Sequence, residues 1–302
     1  MGHFATPLRY PGGKQRLTPF VKEVLEVNGL LGGDYVEPYA GGAGVAIELL
    51  QSRAVHRVHL NDSSYPIYAL WKALLSQPDE FCRRISLASL TVEEWKANRE
   101  VLRHDQDHDQ FEVGFSTFYL NRCNRSGVLS GGVIGGLSQT GTWKIDARFP
   151  RNDLIRRVEA IALMADRIDV QNLDAEVYMA GYVQKLPDTT LVYCDPPYYE
   201  KSSGLYLDRY GAADHERIAK SIQTKLTKRW LVSYDGAPRI LDFYKERRHF
   251  LYDLRYSASR SYEGREVFIF ADALKIPRQS SLAFIDRAVR TVAEAEYDSV
   301  CP

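Results

Sequence analysis

The stretch Asp34-Tyr35-Val36-Glu37-Pro38-Tyr39-Ala40-Gly41-Gly42-Ala43-Gly44 decides the fold. Its first four residues are a short apolar run of the kind that forms a buried parallel strand, and Val45–Leu50 beyond the glycines carries an apolar helix pattern. Glycines between a strand and a helix let a ligand approach the backbone closely, and the helix N-terminus that follows favours polar ligand groups. The loop reads GGAGVA and lacks the spacing GxGxxG, so a plain tight turn explains the same residues when they are taken alone.

Working outward, a second run over 55–60 ends in Asn61-Asp62 and leads into a helix pattern through Trp71 and Leu75. A third, Leu191–Cys194, ends in Asp195-Pro196-Pro197-Tyr198. Strand patterns follow at 229–233, 249–254 and 266–270, with a helix pattern over 214–226 before the first of them. This alternation predicts an α/β fold, a doubly wound, mostly parallel Rossmann-like sheet with helices on both faces. From about Gln77 to Leu163 the patterns are helical, with a glycine-rich loop and no buried strand, which predicts an inserted helical module. Leu282, Ile285, Val289 and Val292 have the spacing of one amphipathic helix over 281–297. The expected organisation is a catalytic domain from residues 1–76 and 164–275, an inserted domain over 77–163, and a helical extension over 276–302.

Composition removes several alternatives. The chain of 302 residues has 39 basic and 39 acidic side chains, 45 % hydrophobic and 26 % charged residues, so it is neither disordered nor a disulfide scaffold. The zero formal charge argues against a wholly electrostatic nucleic-acid binder but leaves room for a local basic patch. Cys82, Cys123, Cys194 and Cys301 are scattered without a CxxC pair and read as reduced, cytosolic and non-metal. No run approaches a membrane span and no signal peptide is visible, so a cytoplasmic protein is expected. His104-Asp-Gln-Asp-His108 has no rigid ligand spacing and reads as a polar surface loop.

Two acidic positions give the glycine loop a chemistry. Asp62 follows Gly41 at close to the spacing at which an acid accepts hydrogen bonds from ribose hydroxyls, with an N-cap for the next helix as the other reading. In Asp195-Pro196-Pro197-Tyr198 the prolines fix an extended turn that presents acceptors at a strand's C-terminal end, beside a flat aromatic face. That set suits a planar ring carrying an exocyclic amine.

These segments together are similar to the adenine-specific DNA methyltransferases of the D12 class, the DNA adenine methylase type. Pro7-Leu-Arg-Tyr10-Pro-Gly-Gly-Lys14 resembles their N-terminal signature, Glu37 to Gly44 their S-adenosylmethionine motif, Asp62 their ribose-binding acid and Asp195 to Tyr198 their catalytic tetrapeptide. Asn121-Arg-Cys-Asn-Arg125-Ser-Gly127 resembles the start of their DNA-recognition region, and Tyr262 to Phe270 their C-terminal segment. The resemblance covers residues 7 to about 271. There are three departures, one of them Tyr10, at a position that is often aromatic but variable. Ala43 replaces a common glycine, and the loop Ser130–Gly136 differs from that of enzymes that modify GATC, so no target sequence carries over.

The resemblance implies an S-adenosylmethionine-dependent DNA adenine N6-methyltransferase that releases S-adenosylhomocysteine and needs no metal. It assigns Asp195, Pro196, Pro197 and Tyr198 to catalysis on a flipped adenine. Tyr10, Lys14, Glu37, Pro38, Tyr39, Gly41, Gly42, Gly44, Asp62, Asp174 and Asp195 are assigned to the cofactor, with a helix cap as the other reading of Asp174 and a solvated first-turn lysine as that of Lys14. Arg122, Asn124, Arg125, Ser126, Gly127 and Lys144 are assigned to double-stranded DNA. The surrounding segment adds Arg148, Arg151, Arg156 and Arg157, interleaved with Tyr119, Trp143 and Phe149, a composition suited to phosphate contacts or to a solvated face. A partner restriction nuclease or defence proteins, with no membrane, complete the expectation. A methyltransferase acting on RNA, cytosine N4 or protein glutamine, and a catalytically silent DNA-binding module, remain as alternatives.

Overall fold

The computed structural model describes residues 5–9, 14–199, 211–257, 261–277 and 288–289. In chain order the elements are α1 (Thr18–Val27), β1 (Asp34–Glu37), α2 (Gly44–Gln51), β2 (Arg57–Asn61) and α3 (Tyr65–Ser76). Then come α4 (Pro78–Leu87), α5 (Val92–Arg103), α6 (Gln110–Cys123) and α7 (Arg151–Ala162). The chain returns to the sheet with β3 (Ile168–Gln171), α8 (Ala175–Ala180), β4 (Leu191–Cys194), α9 (Ala212–Lys225), β5 (Arg229–Asp235) and α10 (Pro238–Phe243). It closes with β6 (His249–Ser257), β7 (Ser261–Phe270) and β8 (Ala288–Val289).

The strands form one sheet in the order β3-β2-β1-β4-β5-β7-β6-β8. The first five in that order are mutually parallel, and β7 runs antiparallel to both β5 and β6. This is the doubly wound, mostly parallel sheet expected from the alternation of patterns. The chain travels outward from β1 to β2 and β3, then returns to β4 on the other side of β1 and moves away again. The switch point therefore lies between β1 and β4, and in open α/β sheets the crevice outside the carboxyl ends at that point is where ligands bind. Tyr35, Val36 and all four residues of β4 are buried, which accounts for their uninterrupted apolar character.

Strand β3 escapes the sequence pattern because it is a four-residue edge strand in which only Ile168 is fully buried. The expected C-terminal helix meets a correction. Ala288-Val289 pair antiparallel with Tyr252 and Leu251 of β6, and the remainder of 281–297 lies outside the described residues. The free edge of β6 offers unpaired N–H and C=O groups, and backbone pairing there overrides a helical apolar spacing.

Between β2 and β3 the chain is helical, and α6 is its hub. Every residue from Val113 to Cys123 is buried, so this helix has no solvent face. At Gly114 a Cβ would lie 2.4 Å from the Ala69 carbonyl oxygen of α3, so the crossing of α3 and α6 admits no side chain at that position. Among the described residues no helix is long and apolar enough to cross a membrane.

Candidate active site

The glycine loop caps the end of β1 and is held from three sides. Gly41 donates its N–H to Asp62 Oδ2 at 2.9 Å, its carbonyl accepts from Trp71 Nε1 at 3.0 Å, and the Pro38 carbonyl accepts from Asn61 Nδ2 at 3.0 Å. Asp62 Oδ1 also accepts from the Ser64 N–H at 3.0 Å, so this carboxylate spans the glycine loop and the entry to α3. Gly41, Gly42 and Pro38 are buried and Tyr39 is half-buried against the core. A Cβ at Gly44 would approach that of Gln15 to 3.2 Å, which brings the N-terminal segment against the loop. Ala43 adopts a left-handed conformation (φ 44°, ψ 36°), a conformation that costs an L-residue roughly 1–2 kcal/mol and that a glycine adopts freely. The departure noted in the sequence thus falls where the backbone favours the missing glycine.

Glu37 ends β1 with its carboxyl buried, and Oε1 accepts the Ala46 N–H at 3.1 Å in the first turn of α2. Burial pushes this carboxyl up to about 8, against the pull of the Ala46 hydrogen bond.

Across the switch point, Asp195 follows β4 and receives two contacts on the same oxygen. Ser233 Oγ donates to Oδ1 at 2.7 Å and Lys14 Nζ lies 3.3 Å from it. The Tyr193 hydroxyl is 2.7 Å from Ser233 Oγ and extends the chain of hydrogen bonds into the core. Among the described residues none is placed on Oδ2, and the side chain keeps a 25 % exposure. Burial raises the Asp195 carboxyl above its ordinary value, Lys14 opposes it and Glu266 adds to it.

Lys14 also pairs with Glu266 Oε2 at 2.6 Å. Burial alone would press its ammonium down, but Asp195 and Glu266 outweigh it and hold Lys14 cationic, well above the usual lysine range. Glu266 is fully buried on β7, where its register partners are Asp235 of β5 and Tyr252 of β6. Tyr198 donates its hydroxyl to Glu266 Oε1 at 2.6 Å and Tyr252 donates to Oε2 at 2.7 Å. Lys14 Nζ stands over the Tyr198 ring, 5.1 Å from its centroid. Asp235 Oδ1 accepts the Tyr199 N–H at 3.1 Å and secures the chain just past the two prolines.

The structure therefore brings Lys14, Glu37, Asp62, Asp195 and Tyr198 to one end of the sheet. Tyr10 lies outside the described residues. Asp174 accepts the N–H groups of Glu176 and Val177 at 2.9 and 3.2 Å, the geometry of a helix cap on α8. Its neighbour Asn172 donates to the Asp62 carbonyl at 2.7 Å and ties the ends of β2 and β3 together.

The residues expected on DNA separate into two groups. Arg122 is buried, with Nε donating to the Arg148 carbonyl at 2.6 Å and Nη1 to that of Pro7 at 3.4 Å. Burial, then the charges of Arg9 and Arg157, lower its pKa. Asn124 is fully buried, accepts Trp95 Nε1 at 2.6 Å and donates to the Val128 and Leu129 carbonyls. Both side chains are thus bonded inside the helical stretch. Gly127, at φ 77°, is buried where a Cβ would lie 2.4 Å from the Arg9 carbonyl oxygen. Arg125, Ser126 and Lys144 are exposed, as are Trp143 at 66 % and Leu137 at 63 %. Lys144 donates to the Gln139 carbonyl within its own loop.

Sequence reasoning missed Glu266, Ser233, Asp235 and Tyr252. The available signal was Glu266 itself, a lone acid opening the apolar run Val267–Phe270, where burial of a carboxylate demands a partner.

Residues 10–257 match the family model of the D12 class N6 adenine-specific DNA methyltransferase. No curated protein matches the chain. Among solved structures the chain is similar to two of the rRNA methyltransferase AviRa from Streptomyces viridochromogenes. One has 14 % identity, 88 % of each chain covered and a TM-score of 0.39. The other has 13 % identity, 87 % of this chain and 86 % of that chain covered, and a TM-score of 0.37. The fold assignment rests on the strand order and register described above.

Proposed function

Because the chain belongs to the D12 class N6 adenine-specific DNA methyltransferase family, we propose that it methylates adenine N6 in double-stranded DNA with S-adenosylmethionine as donor, Asp195 and Tyr198 meeting the base. The observation that carries this reading is the Asp195 carboxylate, fixed through Oδ1 by Ser233 and Lys14 while Oδ2 points to no described partner. The residues present fit the cofactor. A glycine backbone allows close approach, and three carboxyls, Glu37, Asp62 and Asp195, end or follow three neighbouring strands at one end of the sheet. When bound, S-adenosylmethionine supplies a methyl group activated by a sulfonium and leaves as S-adenosylhomocysteine.

The rest of the work falls to this chain's own groups. Glu37 and Asp62 would hold the ammonium and ribose ends of the donor. An adenine within the helix keeps its amine out of reach, so the base must leave the stack. Tyr198 would then stack on the ring while Asp195 Oδ2 and the Pro196 carbonyl accept the two N6 hydrogens. Those hydrogen bonds draw the nitrogen lone pair out of ring conjugation and aim it at the methyl carbon. Positioning and charge stabilisation of this kind supply most of the rate. Residues 77–163 would read the DNA, and residues 1–76 with 164–275 would carry out the transfer.

Methyl transfer from labelled donor to duplex DNA, RNA and peptide, followed by mapping of the modified base, tests the proposal. Incorporation confined to RNA or peptide, or on cytosine, would overturn it.

Two predictions arise here. Glu37 has a folded value near 8, above its ordinary one, so folding takes up a proton in the interval between. Stability should therefore fall as pH rises through that window, by up to about 5 kcal/mol, and flatten above it. Glu37→Gln should remove the slope. If Glu37 receives the donor's ammonium, cofactor binding at pH 7 releases a proton, visible as a calorimetric heat that scales with buffer ionisation enthalpy. A buffer-independent heat would place the ammonium elsewhere.

The second prediction separates the two arginines. Arg125→Ala should weaken binding to every duplex and lower the salt slope by about one. Arg122→Ala should instead lower the melting temperature, since it leaves the Pro7 and Arg148 carbonyls without their buried donor. A salt titration of DNA binding beside a thermal melt distinguishes them, and an unshifted melt for Arg122→Ala would return that residue to the surface.

A further inference from the structure

Glu266 stands outside the glycine loop and the tetrapeptide, yet it touches three groups of the site. Its Oε2 takes Lys14 at 2.6 Å and the Tyr252 hydroxyl at 2.7 Å, and its Oε1 takes the Tyr198 hydroxyl at 2.6 Å. A fully buried carboxylate with both oxygens engaged is a rigid anchor, and its desolvation is repaid only if those partners stay in place.

We propose that Glu266 is a positioning residue for methyl transfer: it holds the Tyr198 ring by its phenol and draws Lys14 toward itself, so that Asp195 meets the amine through Oδ2 with its negative charge uncancelled. The inference rests on the methyl-transfer reading above. Lys14 is 2.6 Å from Glu266 and 3.3 Å from Asp195, so the nearer carboxylate has the larger share of the ammonium. The Lys14, Asp195 and Glu266 set carries one net negative charge when all three are ionised, and that charge opposes the positive charge that develops on N6 as its lone pair forms the new N–C bond. The S–C bond breaks with its electron pair remaining on sulfur, and the surplus N6 proton leaves through Asp195 Oδ2 to solvent. Without the Glu266 charge, Lys14 would pair with Asp195 alone and the set would be neutral. Tyr198 also gains a fixed ring plane. Its hydroxyl is held by Glu266 and Lys14 stands over the ring.

Among the described residues, the charged and titratable groups around Asp195 include Lys14, Glu266, Glu37, Tyr193, Tyr35, Tyr252 and Cys194. Of these, Glu266 raises the Asp195 carboxyl and Lys14 lowers it. Transfer requires ionised Asp195, so the rate is lost as pH falls through its folded value. Removing the Glu266 charge should move that acid limb to lower pH even as the plateau drops.

The test is steady-state methylation of a duplex carrying the mapped site, over a pH series, for wild type and Glu266→Gln. The expected result is a kcat lower by about tenfold or more, both KM values within about twofold of wild type, and an acid limb displaced to lower pH. A kcat within about twofold and an unmoved limb, or a loss confined to KM, overturns the inference. Should Glu266→Gln fail to fold, Tyr198→Phe and Tyr252→Phe read the same carboxylate from its partners. The first should lower kcat by about threefold or more without raising the cofactor KM, since it frees the ring plane. Wild-type kcat in both overturns the inference equally. Wild-type protein that methylates no DNA at all is a failure of the functional reading, seen before any variant is made, and the inference falls with it.

Discussion

Asp195→Ala should yield a folded protein that binds DNA and cofactor but transfers methyl groups at least about a thousandfold more slowly than wild type. Loss of one preorganised hydrogen-bond partner at a reacting atom costs roughly 10²–10³ in turnover. Here the lost partner is also the anion that faces the developing charge on N6. The fold should survive because Ser233 keeps its bond to Tyr193 and Lys14 keeps the nearer of its two carboxylates, Glu266. Single-turnover transfer of a labelled methyl group, with a melt and a cofactor titration alongside, checks the outcome. Turnover within about threefold of wild type would remove Asp195 from the reacting centre.

Lys14→Met should be the most damaging substitution to the framework of the site. It leaves Asp195 and Glu266 close together without the cation between them, and breaking a buried pair in this way costs about 3–5 kcal/mol. That loss corresponds to a fall in melting temperature on the order of 10 °C. The Asp195 carboxyl, raised by burial and lowered by Lys14 in the wild type, would then hold its proton to higher pH than in the unfolded chain. The folded state would bind more protons than the unfolded one, so the deficit should widen as pH rises from the ordinary carboxylate range and be smallest in acid. Residual activity should show its acid limb at higher pH than wild type, opposite to the shift expected for Glu266→Gln. Melting curves at pH 5 and pH 8 and a pH–rate profile provide the check. A deficit that shrinks with pH would mean that Lys14 does not neutralise this pair.

The sheet was legible where burial is complete and opaque where it is partial. Asp34–Glu37, Leu191–Cys194, the strand near 229 and the run Val267–Phe270 announce themselves as apolar runs because nearly all of their residues are buried. Ile168–Gln171 does not, since an edge strand needs only one buried apolar residue to hold its place. The tetrapeptide and the glycine loop were readable because their chemistry is local: acceptor, proline, ring and glycine are consecutive. The supporting network was not. Glu266, Tyr252, Ser233 and Asp235 come from three strands and meet the tetrapeptide only through sheet register, which a linear pattern does not display. The arginines show the opposite failure. Arg122 and Arg125 look alike in sequence, three residues apart, yet one lies inside the last turn of α6 and the other beyond its end.

The contact between Lys14 and Glu266 joins positions 252 residues apart. A ribosome adding about 5–20 residues each second would make the second partner some ten to fifty seconds after the first. Through that interval the glycine loop and the first strands are already outside the tunnel, but the lysine has no carboxylate on β7 to meet. The nascent enzyme is therefore unable to hold its tetrapeptide in working order until nearly all of its sheet has been translated. Assembly of the reacting centre therefore waits for β7, and a chain released before that strand would lack the grip on Tyr198 even with the glycine loop and the tetrapeptide in place.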